Sequence, residues 1–362
     1  MDNKLKMLLQ SALALIGILL LSEIGDTDAY YSDGGRAQYV HFLLEEARPD
    51  LFREVTALER NTFNALIKEF KQRDMLKNGR SVTVEEQDFS LSNDSLVKLY
   101  PIYVKFSPPP AFLPERLDNP KYKAFKNCLG ALDGVLIPVS VPVDQQAPYR
   151  TRKGFFAQNV LAVVNFDFEF VFILAGWEGS AHDGTVLTDA FRKGFSIPGK
   201  KYYLANAGYA LQKGILTPFR ATCYHLKEQA IAGLRPSTAK ELYNLRHSSL
   251  RNVVERIFGC LKAKFKVLTT PSEHNIHQQV QLVYALVTLW NFLRQHQQLD
   301  DDEFLTSELD GGGNLDAEEE EEQNPHRRTH ADDVAMASRR LRLSAKLWNQ
   351  YNLYLASNPR SE

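Results

Sequence analysis

One segment constrains this chain more than any other. The fifteen residues from Leu129 to Val143 are apolar and rich in β-branched side chains, broken only by Gly, Pro, one Ser and one carboxylate, Asp133. Such a run reads as a β-strand. A carboxylate inside it is costly to ionise unless it is paired or bound to a metal. Asp133 also reads as a strand-end residue turning with Gly134. Two more runs follow, Asn159 to Val164 and Glu169 to Leu174, and the four residues between them make the pair a β-hairpin. Lys201 to Ala205 is a short fourth strand, and helical periodicity then covers Ser249 to Phe265 and His277 to Gln295. Strand, hairpin, strand and helices in this order predict an α/β fold, a mixed sheet covered by helices.

The flanks differ in character. From Gln38 to Phe70, Tyr39, Phe42 and Leu43 and then Leu58, Phe63, Leu66, Ile67 and Phe70 recur at one-turn spacing, so the N-terminal region is helical. Pro108 to Pro110 and Pro114 mark a boundary near Ser107 to Pro120. Ahead of all this, Lys4 and Lys6 precede an apolar run from Met7 to Leu21. The run has a signal-like start, but it is short for a span and lacks small residues at a cleavage site, which favours a buried helix over membrane or secretory targeting.

The formal charge is −1, but Asp300 to Glu322 holds twelve acidic residues and no Lys or Arg, which leaves the rest of the chain at +11. Residues 300–325 read as a disordered acidic linker. Beyond it, residues 331–356 read as an amphipathic helix with Val334, Ala337, Leu341, Trp348, Tyr351 and Tyr354 on its apolar stripe. Three cysteines without close spacing exclude a disulfide scaffold and a zinc site.

Two further polar residues stand out. Asn206 follows the fourth strand beside Gly208, and Glu255 lies in a helix flanked by apolar residues. Taken alone, Asn206 suits a turn and Glu255 a surface pair with Arg251 or Arg256. Four ordered segments carry more: Cys128-Leu129-Gly130-Ala131-Leu132-Asp133-Gly134, Gly176-Trp177-Glu178-Gly179-Ser180-Ala181-His182-Asp183, Tyr203-Leu204-Ala205-Asn206-Ala207-Gly208-Tyr209 and Arg251-Asn252-Val253-Val254-Glu255-Arg256-Ile257-Phe258-Gly259. In order and spacing over about Lys126 to Leu293, the chain resembles the transposases of PIF/Harbinger DNA transposons and their domesticated, host-encoded relatives.

The resemblance implies a ribonuclease H-like core over residues 121–298, after a helical N-terminal region 1–107 whose DNA-reading unit is truncated near Val84 to Gln87. It implies metal-dependent DNA cleavage and strand transfer, in which three acids hold two divalent ions, Mg or Mn, that activate the attacking oxygen and stabilise the leaving one. Asp133 and Glu255 match the first and third acids, as catalytic residues and metal ligands. Asn206 stands at the second, with forty-eight residues between it and Glu255. An amide brings no charge, so metal binding is expected to be weakened and activity impaired.

Asp183 is an additional acid near the site by its motif, or else the cap of the helix that follows. Arg246, Arg251, Arg256, Lys262 and Lys264 crowd the Glu255 helix and suit DNA backbone contacts, or a solvated face. The resemblance further implies a nuclear protein, DNA as partner and a separate DNA-binding partner protein. The alternative is a catalytically silent nuclear DNA- or protein-binding factor. A decaying transposon copy is a third reading.

Overall fold

Side-chain alternation along β1 (Cys128–Pro138) sets the layering. Ala131 and Ile137 enter one buried cluster and Leu132 the other, so the strand is covered on both faces. The structure, a computed structural model, describes residues 42, 46–56, 58–73, 96–106, 114–220, 222, 235–272, 274–296 and 333–358. The Met7 to Leu21 run, the Val84 to Gln87 region and the acidic run at 300–325 lie outside the described residues.

β1 pairs antiparallel with β2 (Ala157–Asn165), which pairs antiparallel with β3 (Phe170–Glu178); this is the expected hairpin. On its other side β1 pairs parallel with β4 (Tyr202–Leu204), and β4 pairs parallel with β5 (Ile215–Leu216). The five-stranded order is β3-β2-β1-β4-β5, a mixed sheet flanked by helices. Gly130 makes the β1–β2 approach possible. It sits at φ +156°, and any Cβ there would run into the Val164 carbonyl.

The N-terminal helices are α1 (Pro49–Thr56), α2 (Arg60–Gln72) and α3 (96–103). With α5 (Ala239–Lys264) and α6 (Ile276–Gln295) they bury Phe52, Phe63, Leu99, Val254 and Leu286 in the larger cluster. The smaller cluster lies on the other face, where Val186, Leu187 and Ala190 of α4 (Asp183–Arg192) meet Leu132, Leu161 and Val163. Asn291 on α6 closes the outer edge of β3. Its side-chain amide accepts from Phe170 N–H at 2.9 Å and donates to Phe170 O at 2.7 Å, copying the bonds of a neighbouring strand. The neighbouring Trp290 is buried and donates Nε1–H to Phe168 O at 2.9 Å.

Three helices depart in part from the sequence reading. α5 begins ten residues before Ser249, because Thr238 accepts from Glu241 N–H while the Glu241 carboxylate accepts from Ser237, a reciprocal cap. Asp183 does not cap α4. His182 occupies the N-cap position, and Asp183 is the first residue of the helix. α7 (Val334–Ser357), capped by Asp333 Oδ1, buries Met336, Ser344 and Leu347 and packs Ala337, Trp348 and Tyr351 of the expected stripe against the larger cluster, while Val334, Leu341 and Tyr354 of that stripe stay exposed. Polar anchors select that face. Ser344 Oγ donates to Ala239 O at 2.8 Å, and Arg340 donates to Pro218 O at 2.8 Å while lying over the Phe219 ring. No helix among the described residues is long and apolar enough to cross a membrane.

Candidate active site

Asp133 lies mid-strand on β1, opposite Ala162, on the sheet face covered by α5. Asn206 arrives from the carboxyl end of β4. Its Oδ1 accepts from Gly208 N–H at 2.7 Å, a turn that fixes which end of the amide points where. The Nδ2 end therefore faces Asp133 and donates to its Oδ1 at 2.9 Å. Gly134 N–H donates to the same oxygen at 2.9 Å. From α5, Arg251 Nη1 donates to Asp133 Oδ2 at 2.8 Å and pairs with Glu255 Oε1, one helical turn on, at 2.8 Å. The side chains of Arg251, Asp133 and Glu255 are 4%, 14% and 33% exposed, so Glu255 is the part that faces solvent.

Three residues far apart in sequence thus meet, Asp133 and Asn206 directly and Glu255 through Arg251. Burial pushes the Asp133 carboxyl up to about 8. The Arg251 guanidinium opposes that rise, and the carboxylates of Asp183 and Glu255 add to it.

On the opposite face of β1, Gly134 pairs with Leu161, and a second group of oxygens gathers above it. A Cβ on Gly134 would lie 2.7 Å from Asp183 Oδ1 and 3.0 Å from Asn159 Oδ1. Asn159, on β2 and 4% exposed, donates Nδ2 to Asp183 Oδ1 at 3.2 Å and to Ala181 O at 3.3 Å. Its own Oδ1 is buried without a hydrogen-bond partner.

The cations expected to touch DNA are variously engaged. Arg251 does not join a phosphate-facing surface, because it is buried between Asp133 and Glu255. Arg246 lies over the Tyr122 ring and Arg256 over Phe168. Lys262 donates to Leu136 O at 3.2 Å, and burial lowers its pKa. Lys264 is half-buried at the end of α5. Behind Arg251, burial drives the His247 ring down to about 3, and its Nε2 lies 3.0 Å from Leu216 O.

These residues do not fit a two-ion centre. Both oxygens of Asp133 take N–H donors, position 206 presents an NH₂ group where a third carboxylate would be needed, and a guanidinium already bridges to Glu255. Among the described residues, no group of three His, Cys, Asp or Glu side chains gathers to hold a metal. The Arg251–Glu255 pair read from the i,i+4 spacing is present, but the sequence reading missed that the same guanidinium reaches on to Asp133. It also missed Asn159, whose only signal is an amide inside an apolar strand.

The family described as DDE superfamily endonuclease matches residues 132–291. Over 220 residues the chain is 24% identical to "Protein ALP1-like" of Arabidopsis thaliana, covering 53% of this chain and 51% of that protein. Over 176 residues it is 23% identical to "Putative nuclease HARBI1" of Rattus norvegicus, 46% of each chain. It is 27% identical to the Mus musculus protein of that name over 146 residues, 39% of this chain and 37% of the other. The chain spans about half the length or less of these curated relatives. No solved structure matches it. Residues 132–291, the span that matches this family, include Asp133, Asn159, Asp183, Asn206, Arg251 and Glu255.

Proposed function

We propose that the chain is a transposase-derived nuclease whose ribonuclease H-like domain, residues 121–298, acts on DNA in the nucleus and whose cleavage centre is impaired at position 206. The remaining parts are the helical region 1–107, an acidic linker 300–325 and the C-terminal helix 331–356. The mixed sheet order, with β2 antiparallel to β1 and β4 parallel to it, supports the ribonuclease H-like reading. One observation carries the impairment. The Asn206 amide, oriented by Gly208, places N–H against Asp133 Oδ1 at 2.9 Å, so position 206 withholds a charge and also blocks an oxygen a metal would use. In this reading Asp133 and Glu255 are the remaining catalytic acids and ligands for weakly held Mg²⁺ or Mn²⁺. Arg246, Arg256, Lys262 and Lys264 face the DNA backbone, and target choice falls to a separate DNA-binding partner protein.

The test is cleavage of supercoiled plasmid in Mn²⁺ by the unmodified chain and by Asn206→Asp. The unmodified chain should stay near background and the variant should nick; equal rates would remove position 206 from the explanation. A second reading, a catalytically silent DNA- or protein-binding factor, is favoured by the internal satisfaction of both Asp133 oxygens. It predicts no cleavage by either protein but salt-dependent DNA binding, with Lys264→Ala lowering the log–log salt slope by about 0.9, one phosphate contact.

A further inference from the structure

Beyond the end of β1 the chain forms a second, smaller hairpin that the cleavage centre does not use. Val139 N–H donates to Phe156 O at 3.1 Å, which ties the hairpin to the end of β1, and Arg150 bridges Phe156 in antiparallel register. Between them the buried Thr151 anchors the turn. Its N–H and its Oγ1–H both donate to Phe155 O at 2.9 Å, and its carbonyl accepts from Gly154 N–H at 3.0 Å. Arg152 and Lys153 therefore take the two central turn positions, and Gly154, at φ +89°, supplies the left-handed residue that brings the chain back. Arg152, Lys153 and Phe155 are exposed, while Arg150 lies over the Phe156 ring. No Asp or Glu occurs from Gln145 to Phe166, and among the described residues neither Arg152 nor Lys153 pairs with an acid. Glu178 acts on Tyr149, at the base of the hairpin. The cations of α5 are instead taken up by the protein itself: Arg251 in ion pairs, Arg246 and Arg256 over rings, Lys262 on a backbone carbonyl.

We propose that this hairpin, residues 150–156, is a docking element for duplex DNA, in which Arg152 and Lys153 each take a backbone phosphate and Phe155 packs in the groove beside them. Charge and shape choose the partner. Two adjacent cations on a rigid turn match a polyanion with closely spaced phosphates, and a two-stranded β-ribbon fits a major groove. The aromatic ring next to the cations adds an apolar contact to sugar and base edges. The turn is already formed by its own hydrogen bonds, so it needs no ordering on binding. From Ala162, opposite Asp133, back to Phe156 is six residues, about 20 Å at about 3.4 Å per residue. That is about six base pairs of duplex, so the hairpin grips the flank of a site presented to Asp133 and not the reacting step itself. The proposal rests on the nuclease reading for its choice of nucleic acid, and it needs no cleavage activity.

The experiment follows the fluorescence anisotropy of a labelled DNA duplex titrated with the purified full chain, without divalent metal, over a series of KCl concentrations. Circular dichroism confirms that each variant is folded. Arg152→Gln combined with Lys153→Gln should lower the log–log salt slope by about 1.8, two phosphate contacts at about 0.9 each. Phe155→Ala should weaken binding about threefold at every salt concentration and leave the slope unchanged; if it fails to fold, the cation pair still decides. As a control, Lys123→Gln combined with Lys126→Gln removes two exposed cations ahead of the other end of β1 and should change neither quantity. An equal loss in the hairpin pair and the control pair would overturn the proposal, since general charge would then explain the binding. An unchanged slope in the hairpin pair, with Lys264→Ala still lowering it, would also overturn the proposal while leaving the nuclease reading intact. Binding of single-stranded RNA but not of the duplex would overturn the choice of partner. A lowered slope in the hairpin pair, with no plasmid cleavage even by Asn206→Asp, would uphold the hairpin and sink the nuclease reading instead.

Discussion

Asp133 and Gly134 are neighbours on one strand that look into opposite layers, and the two layers treat oxygen differently. Towards α5, the Asp133 carboxylate receives three hydrogen bonds, from Asn206, Gly134 and Arg251, all supplied by the chain itself. Towards α4, Asp183 and Asn159 bring acceptors together, and Asn159 Oδ1 has no donor. On the α5 side an amide, a backbone N–H and a guanidinium close the carboxylate off from solvent, whereas on the α4 side one buried amide oxygen, Asn159 Oδ1, receives no donor.

The largest expected effect breaks the closed side. Arg251→Met leaves Asp133 and Glu255 without their shared cation, which should lower unfolding free energy by about 3–5 kcal/mol in urea titrations. A loss below about 1 kcal/mol, the size of an exposed pair, would show that ionic closure is not what holds this face.

Next in size is a pH effect on the same face. The folded His247 pKa is depressed to about 3 from 6.5, so its contribution is fully present above pH 6.5 and is lost as pH falls. By pH 5 the unfolded chain has taken up a proton that the folded one refuses, costing about 2 kcal/mol. The raised Asp133 carboxyl gains stability over the same interval, so the His247 share is read by difference: between pH 7 and pH 5, thermal melts should move about 2 kcal/mol more in favour of His247→Gln than of the unmodified chain, and parallel shifts in the two would mean that the ring is accessible.

Smaller still is the metal-free cost of reopening the cluster. Asn206→Asp replaces a donor facing Asp133 Oδ1 with an acceptor, at about 1–2 kcal/mol, and Mn²⁺ should return the lost melting temperature. Melting that ignores both the substitution and the ion would erase the difference between the two faces. Asp183→Asn should be nearly neutral. Losing a carboxylate from the first turn of α4 costs roughly 0.3–1 kcal/mol, and relief of repulsion with Asp133 offsets it. A loss beyond about 2 kcal/mol would make Asp183 a structural residue.

Much of the sheet was legible because burial imposes a pattern. The apolar Leu129 to Val143 run and the paired runs beyond it could only be covered strands and a hairpin, and that is how β1, β2 and β3 lie. β5 was not legible, since two residues carry no period. The early start of α5 was written in Ser237-Thr238-Ala239-Lys240-Glu241, a capping sequence that a search for apolar periodicity passes over. The meeting of Asp133 with Asn206 came from resemblance, because seventy-three residues separate them and no local physics links the two. Asn159 could not be singled out at all. Its role depends on which atom of its amide is left over once Ala181 and Asp183 have claimed the other.

α5 is held from two sides, by the sheet at Asp133 and by α7 at Ala239. A helix pinned in this way has no cheap excursion that exposes its middle turns. The amide protons of Arg251 and Glu255 should therefore exchange with deuterium only when the whole domain unfolds, while those near the exposed end of α7, around Leu353 and Tyr354, exchange by local fraying. Anything that engages the α5 face must then accept it as already assembled, so the selectivity of that face resides in its fixed shape and not in an adaptive closure.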